Sequence, residues 1–258
     1  MTPKPLALLK KLRWLLVLLL APCFAAFVAH HTLAMFLIAT VIFSILGLLF
    51  LYHKSHVLIF FILSLLPSLT TELLLYKHAS FTWIDQFIFL SLFFFCLIFS
   101  WCFALKLKII STPKRASFPL LTIIFGLLLL FILSYLSTKI GAHFHTHTTE
   151  NQAALDQLRS SIPLYIFAIQ TIFAGFFEEL TYRTAIFEIV FKQNKILAFI
   201  CAALLFTLMH APTNVYSWFV YGSMSLVLTS FYAKYRNFYL NMSIHMLWNT
   251  LGILSLLL

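Results

Sequence analysis

The chain has 258 residues, of which 62% are hydrophobic, 17% aromatic and 9% charged. A typical soluble domain is about 45 to 50% apolar and about 25% charged, so this composition excludes a soluble globular protein. Lysine and arginine outnumber aspartate and glutamate by 17 to 7, but the basic residues occur in short clusters between apolar runs. Because they are not gathered into one basic patch, we expect membrane lipids and no nucleic acid as partners.

Nine apolar runs follow one another along the chain, and most approach the roughly 20 residues that a transmembrane helix needs. They are Leu15 to Val28, Leu33 to Tyr52, Val57 to Leu75, Phe87 to Leu105, Phe118 to Leu136, Ile162 to about Phe191, Leu197 to His210, Tyr216 to Tyr232, and Leu240 to Leu258. The first and seventh runs are short. We therefore predict an all-α polytopic membrane helix bundle of eight to nine transmembrane helices, with residues 1–258 as a single integral membrane domain. For the first run we favour a retained helix over a cleaved signal peptide.

The distribution of positive charge predicts the orientation in the membrane, because lysine and arginine favour cytoplasmic loops. With the N-terminus in the cytoplasm and nine alternating helices, 13 of these residues fall on the cytoplasmic side. The other side receives Lys77, Lys139 and Arg159, and Arg183 lies within an apolar run. We therefore expect a cytoplasmic N-terminus.

One long polar segment, Ser137 to Ser161, is predicted to be a loop on the side opposite the N-terminus. Its alternating residues His143, His145 and His147 could bind a metal ion. No carboxylate or cysteine is placed in the sequence to complete such a site. We therefore favour a solvated loop that is rich in histidine.

Charged residues inside an apolar run are costly, so each needs a partner or a function. In the sixth run Glu178, Glu179 and Arg183 lie amid apolar residues. Glu179 and Arg183 are four residues apart and share one helix face, as an ion pair requires. Glu178 lies about 100° around the helix and is free to project into the bundle. An ion pair at the helix end, with Glu178 reaching water, is the structural alternative.

Two further segments with a histidine occur in the seventh and ninth runs. Phe206 and His210 are four residues apart, and so are His245 and Asn249. His245 and Asn249 project from one face of their helix. Taken singly, His210 could be an interfacial residue, and His245 with Asn249 could join helices by hydrogen bonds. Together with Glu178 they form the main concentration of titratable groups in the apolar part of the chain.

This set of side chains can support hydrolysis by an activated water molecule. Glu178 can accept a proton from water as a general base, and His210 can hold or polarise that water. His245 and Asn249 can donate hydrogen bonds to the oxygen of a tetrahedral carbonyl. Glu179, Arg183 and Phe206 would support these residues. Alternatively Glu178, His210 and His245 could bind zinc, although they do not share a His-Glu-x-x-His helix.

At these residues the chain resembles the CPBP family of intramembrane proteases. That family includes the enzyme that trims prenylated CAAX proteins and bacterial proteins linked to bacteriocin self-immunity. Its pattern is Glu-Glu-x-x-x-Arg, then Phe-x-x-x-His, then His-x-x-x-Asn or a similar polar residue, and the pattern is complete and in order here. The matching part covers about Phe176 to Asn249. Residues 162–258 are therefore expected to be CPBP-like catalytic helices, and residues 1–160 N-terminal helices to which we assign no role.

The resemblance implies an all-helical membrane core, a cavity within the bilayer and a water activated by glutamate. It implies Glu178 as the base, His210 as its partner, and His245 with Asn249 on the oxyanion side. The family is often called a metalloprotease family, although catalysis without a bound metal is also argued for it. We predict the metal-free form, with no firmly expected cofactor and with zinc as the alternative. By analogy we expect the cytoplasmic (inner) membrane of a bacterium.

The leading hypothesis is an intramembrane endopeptidase that hydrolyses a peptide bond near or within the bilayer. Its substrate would be a peptide or a membrane protein. The main alternative is a non-enzymatic membrane immunity or scaffolding protein that keeps the motif for helix packing. A proton-coupled carrier is the third hypothesis, and the sequence shows no repeated halves that would favour it.

Overall fold

The computed structural model describes residues 14–15, 17–22, 25, 33–51, 55–77 and 80–256. Throughout these ranges the regular structure is helical and no strand occurs, which confirms the predicted all-α fold class. The helices are α1 (Leu33–Leu51), α2 (Ser55–Lys77), α3 (Trp83–Lys106), α4 (Leu120–His143), α5 (Glu150–Ser161), α6 (Leu164–Glu178, continuing as a π-helix over Glu179–Val190), α7 (Lys195–Met209), α8 (Val215–Tyr235) and α9 (Phe238–Ser255). A short 3₁₀ turn, Arg115–Ser117, precedes α4.

The chain divides into two compact units, Met1–Leu58 and Ile59–Leu258. Helix α1 belongs to the first unit, and α3 to α9 belong to the second. The first apolar run, Leu15 to Val28, lies partly outside the described residues, so the choice between a retained helix and a signal peptide stays a prediction. The predicted division of the chain at residue 160 also stays a prediction.

Four of the described helices are long and apolar enough to cross a membrane. They are His56–Tyr76, Trp83–Lys106, Arg115–His143 and Leu164–Val190. Phe36–Leu48 and Lys195–Met209 are apolar but shorter. The chain is therefore a helical membrane bundle, while the predicted number of eight to nine spans stays a prediction.

Asparagine side chains cap the N-termini of the three helices α7, α8 and α9. Asn194 accepts a hydrogen bond from the Leu197 amide before α7, at 3.0 Å. Asn214 and Asn237 do the same at the starts of α8 and α9. Such caps satisfy amide groups that the first helical turn leaves without partners. They fix where each helix begins and so set the helical phase of the site residues that follow.

The polar segment predicted as a loop is largely helical, and this expectation was wrong. Helix α4 continues to His143, and Glu150–Ser161 form the 12-residue helix α5. The Thr149 hydroxyl caps α5 by accepting from the Gln152 amide at 3.0 Å. Glu150 places a carboxylate in the first turn, where the helix dipole favours negative charge. Threonine followed by glutamine three residues later was the sequence signal for this helix.

Helix α6 changes from α-helical to π-helical hydrogen bonding between Glu178 and Glu179. At the end of the π-helix the Phe191 amide donates to the Ile186 carbonyl, five residues earlier, at 2.9 Å. Most π-helices are single turns and frequently occur at functional sites. The change therefore marks the position of the two adjacent glutamates as unusual within the bundle.

Helices α6 and α9 run antiparallel and pack closely at Gly175. A Cβ atom on Gly175 would lie 3.0 Å from the Met246 amide nitrogen and 3.2 Å from the His245 carbonyl carbon. Glycine therefore lets the α9 backbone approach α6 just before the two glutamates. This contact places His245 opposite Glu178 and Glu179.

Candidate active site

Glu179 lies at the centre of a buried polar cluster. Its Oε1 atom accepts hydrogen bonds from Arg183 Nη1 at 2.9 Å and from His245 Nδ1 at 2.8 Å. Its Oε2 atom accepts one from Asn241 Nδ2 at 3.0 Å. The side chains of Glu179 and Arg183 are 0% exposed. The predicted pairing of Glu179 with Arg183 is confirmed, and three donors compensate the buried carboxylate.

Arg183 connects this cluster to α7 and α8. Its guanidinium carbon lies 4.0 Å from the centre of the Phe206 ring, and Nη2 donates to Ser225 Oγ at 3.3 Å. The Ser225 hydroxyl in turn donates to the Ala203 carbonyl at 2.9 Å. A cation over an aromatic face is attracted by the ring electrons, and the attraction is stronger away from water. Phe206 thus contacts the cluster through the arginine.

His245 lies between the two glutamates. Its Nδ1 atom carries the proton that it donates to Glu179, since an ionised carboxylate can only accept. Its Nε2 atom lies 3.6 Å from Glu178 Oε2. The Glu178 side chain is 22% exposed, whereas that of Glu179 is 0% exposed. The two adjacent acids therefore have different surroundings, one inside the protein and one facing open space.

His210 is held by its own helix and by two aromatic rings. Its Nδ1 atom donates to the Phe206 carbonyl at 2.7 Å, which leaves Nε2 with a lone pair in the neutral ring. Its ring centre lies 4.4 Å from that of Phe206 and 4.4 Å from that of Tyr221. The Tyr221 hydroxyl accepts from Asn151 Nδ2 at 3.1 Å and is 2.9 Å from Thr149 Oγ1. The start of α5 is therefore linked to His210 through Tyr221.

The four residues that the sequence predicted as catalytic all lie around one cavity of about 680 Å³. Glu178, His210, His245 and Asn249 all line it. Asn249 donates one amide hydrogen to the Thr171 carbonyl at 2.9 Å and keeps a second. Glu179, Arg183 and Phe206 do not line this cavity. The predicted residues therefore form two groups. One group lines the cavity, and the other, Glu179, Arg183 and Phe206, lies outside its lining.

Comparison with known proteins identifies the family. The chain is 49% identical to UPF0177 protein YvdC of Lactococcus lactis subsp. lactis over 247 residues, which are 95% of this chain and 94% of that protein. The chain belongs to the UPF0177 family. UPF0177 protein YaiH of the same organism is 33% identical over 133 residues, covering 51% of this chain and 55% of that protein. A UPF0177 protein from Lactococcus lactis subsp. cremoris is 32% identical over 133 residues, covering 51% of this chain and 56% of that protein.

A family model also matches this UPF0177 protein. Residues 160–251 match the model described as Type II CAAX prenyl endopeptidase Rce1-like. UPF0177 proteins are CPBP-like, so the predicted resemblance to the CPBP family is confirmed. The matched residues include the glutamate pair and the three polar positions on α7 and α9, and this match points to a protease. No solved structure matches the chain.

Sequence reasoning missed three residues of this UPF0177 site. Asn241 bonds to Glu179, Ser225 bonds to Arg183, and Tyr221 stacks on His210. Asn241 lies four residues before His245 and so on the same helix face, which was the available signal. Ser225 and Tyr221 are ordinary residues of an apolar helix, and their roles become visible once α8 is placed against α6 and α7.

The three residues named for zinc do not fit that ion as they are arranged. Over the ranges that the structure describes, no three His, Cys, Asp or Glu side chains converge to hold a metal. The second nitrogens of His210 and His245 have the hydrogen bonds that zinc ligands often have, to a carbonyl and to a carboxylate. The donor types would suit zinc, but the positions of the three side chains do not.

Proposed function

We propose that this UPF0177 protein is an intramembrane endopeptidase in which Glu178 and His210 activate water to hydrolyse a peptide bond. The observation that carries the proposal is that Glu178, His210, His245 and Asn249 line one cavity. The match to a prenyl endopeptidase model over residues 160–251 supports the same reaction class. The substrate would be a peptide or a membrane protein whose scissile bond lies near or within the bilayer.

Glu178 is suited to act as the general base. It lines the cavity and makes no close ion pair of the kind that holds Glu179 to Arg183. A water molecule beside Glu178 can donate one hydrogen to its carboxylate and the other to the free Nε2 of His210. Removal of a proton by Glu178 then produces the nucleophile that attacks the peptide carbonyl.

Asn249 and His245 are suited to stabilise the oxygen of the tetrahedral intermediate. The second amide hydrogen of Asn249 is available, because only one is donated to Thr171. Nε2 of His245 can donate there when the ring carries a proton on both nitrogens, and the Glu179 carboxylate contacts the other side of that ring at 2.8 Å. Preorganised donors of this kind stabilise developing charge strongly because they do not have to reorganise.

The proton balance closes within the site. The water oxygen forms the new bond to the carbonyl carbon, and Glu178 holds the proton removed from water. The carbon–nitrogen bond then breaks, and Glu178 returns its proton to the leaving amine. One water molecule is consumed, and the products are a carboxyl and an amino terminus.

The buried cluster holds the reacting groups in place. Glu179 fixes the ring of His245 through Nδ1, in the way that a carboxylate orients a catalytic histidine in a hydrolase triad. Arg183 compensates the charge of Glu179 and contacts Phe206, whose carbonyl holds His210. A single connected set of contacts therefore links both imidazoles to α6.

We place the N-terminus in the cytoplasm and the protein in the cytoplasmic membrane of a bacterium. The distribution of lysine and arginine supports the orientation. No step of the mechanism requires a metal ion. Inhibition by a chelator that only zinc reverses would contradict this metal-free mechanism.

The proposal is tested with membranes that contain the full chain and a panel of peptides. His210→Ala and Asn249→Ala are compared with Ser223→Ala, whose hydroxyl bonds only to the Val220 carbonyl of its own helix. We expect cleavage to fall at least about 100-fold for Asn249→Ala, the usual effect of removing one oxyanion donor. A general-base partner contributes about 10² to 10⁴, so His210→Ala should fall similarly. Full activity in either variant would contradict the mechanism, and absence of cleavage by the wild type would favour the non-enzymatic alternative.

A further inference from the structure

We infer that the cavity receives its substrate from the non-cytoplasmic side of the membrane, as an extended peptide that lies along the C-terminal half of α9. This inference rests on the proposed function for the nature of the ligand. The direction of entry follows independently from the lining of the cavity and the charges at the two ends of the bundle.

Hydrogen bonds define the two ends of the bundle. At one end the Asn237 side chain donates from Nδ2 to the Ser117 carbonyl at 3.0 Å, and Arg236 pairs with Glu188 at 2.8 Å. These contacts join the connections α3–α4 and α8–α9 to the end of the π-helix, and we call this the basic end. At the other end Arg159 donates to the Leu256 carbonyl at 3.0 Å, joining α5 to the end of α9. We call this the α5 end.

The cavity extends from the middle of the helices toward the α5 end. On α6 its lining begins at Phe167 and stops at Glu178, and the whole π-helix beyond it contributes nothing. On α9 the lining begins at His245 and continues to Leu256. On α7 it touches only His210, the residue that ends that helix. The catalytic group therefore lies at the inner end of the cavity, away from the α5 end.

Exposed residues line the cavity at the α5 end. Gln152 and Ser255 are exposed, while Asn151 and Leu155 are half-buried. The cavity is therefore continuous with the surface along α5 and at the end of α9. By contrast His245, at the inner end, is only 2% exposed.

Charge assigns the α5 end to the non-cytoplasmic side. Over residues 59–256 the basic end holds eight lysine and arginine residues, and the α5 end holds three. Those at the basic end are Lys106, Lys108, Lys114, Arg115, Lys192, Lys195, Lys234 and Arg236. Because positive residues favour the cytoplasm, the basic end is cytoplasmic and the cavity opens on the opposite side.

The dimensions and lining of the cavity suit an extended peptide. From His245 to Leu256 helix α9 rises about 16 Å, which equals about five residues of extended chain. Polar side chains of Ser134, Gln152 and Ser255 line the cavity together with the aromatic rings of Phe131 and Trp248. Hydroxyl and amide groups can bond to a peptide main chain, and the aromatic rings can contact its side chains.

Thiol labelling tests the direction of entry without relying on hydrolysis. In full-length protein with the four native cysteines replaced by alanine, single cysteines are introduced as Met224→Cys deep in the cavity, Ser255→Cys at its mouth and Lys192→Cys at the basic end. A membrane-impermeant maleimide is applied to right-side-out and to inside-out membrane vesicles. We expect at least tenfold more labelling of Met224→Cys and Ser255→Cys in right-side-out vesicles, and the reverse for Lys192→Cys. Gln152→Cys provides a second position at the mouth if Ser255→Cys does not fold.

Labelling of Met224→Cys from the cytoplasmic side only would overturn the inference. So would a lack of labelling from either side while Ser255→Cys is labelled from outside, because the cavity would then be closed at its mouth. With an active preparation, an added peptide should be cleaved by right-side-out vesicles and spared by inside-out vesicles. Failure of every peptide to be cleaved would contradict the proposed function and leave the labelling result unchanged.

Discussion

Glu179 and His245 are 66 residues apart in the chain, and the Glu179 Oε1 atom accepts a 2.8 Å hydrogen bond from His245 Nδ1. Both side chains are almost completely buried, at 0% and 2% exposure. Glu179 thus contacts His245 through Nδ1 and does not line the cavity, whereas Glu178 does line it. Adjacent positions in one helix therefore have different surroundings, one in the buried polar cluster and one on the cavity.

Replacing Glu179 is expected to destabilise the fold. Glu179→Gln would leave Arg183 buried without its ion-pair partner, which typically costs about 3 to 5 kcal/mol. Glu178→Gln is the matched control, because the change is the same one residue away at a partly exposed side chain. Thermal unfolding in detergent should show a clearly lower midpoint for Glu179→Gln alone. Equal midpoints for the two variants would contradict the assignment of Glu179 to the structural role.

Tyr221 is expected to act through its ring on His210 and through its hydroxyl on α5. Tyr221→Phe keeps the ring that stacks on His210 but removes the hydroxyl that contacts Thr149 and Asn151. Peptide cleavage should stay within a few-fold of the wild type, while amide hydrogen exchange at residues 149–152 becomes faster. Tyr221→Leu removes the ring and should lower kcat more than tenfold. If the phenylalanine variant were as inactive as the leucine variant, the ring would not be what positions His210.

Close packing at Gly175 is expected to be necessary for activity. The added methyl group of Gly175→Ala would meet the α9 backbone at 3.0 Å and push His245 away from the glutamates. Overpacking of this kind costs about 1 to 3 kcal/mol. Gly222→Ala is the control, because nothing lies within 4 Å of its added Cβ atom. The control should be stabilised by about 0.5 to 1 kcal/mol and stay active, since alanine favours a helix interior over glycine.

Cleavage assays and unfolding midpoints on both glycine variants check this prediction together. An active Gly175→Ala protein would show that the distance between α6 and α9 does not matter for the reaction. An inactive Gly222→Ala protein would show that the helices do not tolerate alanine in general.

The sequence was sufficient to predict which residues meet in the cavity. Glu178, His210, His245 and Asn249 are polar groups in apolar runs, and such groups must find partners inside the bundle. It was not sufficient to predict Asn241 as the partner of Glu179, because an asparagine near the start of a helix resembles a cap or an interfacial residue. Its contact with Glu179 depends on how α9 is rotated against α6.

Helix α5 and the π-helix show a second limit of sequence reasoning. Helix α5 is polar and has no buried residue, so it lacks the apolar periodicity that predicts a helix. The π-helix begins between two identical residues, and hydropathy alone does not distinguish it from a continuing α-helix. Glu179 and Arg183 pair in spite of it, because the four-residue spacing still brings the long guanidinium side chain to the carboxylate.

The rate of peptide cleavage by Glu178→Gln, measured in membranes beside the wild type, is the decisive test of Glu178 as the general base. Glutamine keeps the shape of the side chain but cannot take a proton from water. We predict a loss of about 10² to 10⁴-fold, the usual contribution of a general base, with an unchanged unfolding midpoint. Cleavage at the wild-type rate by folded Glu178→Gln protein would show that Glu178 is not the base.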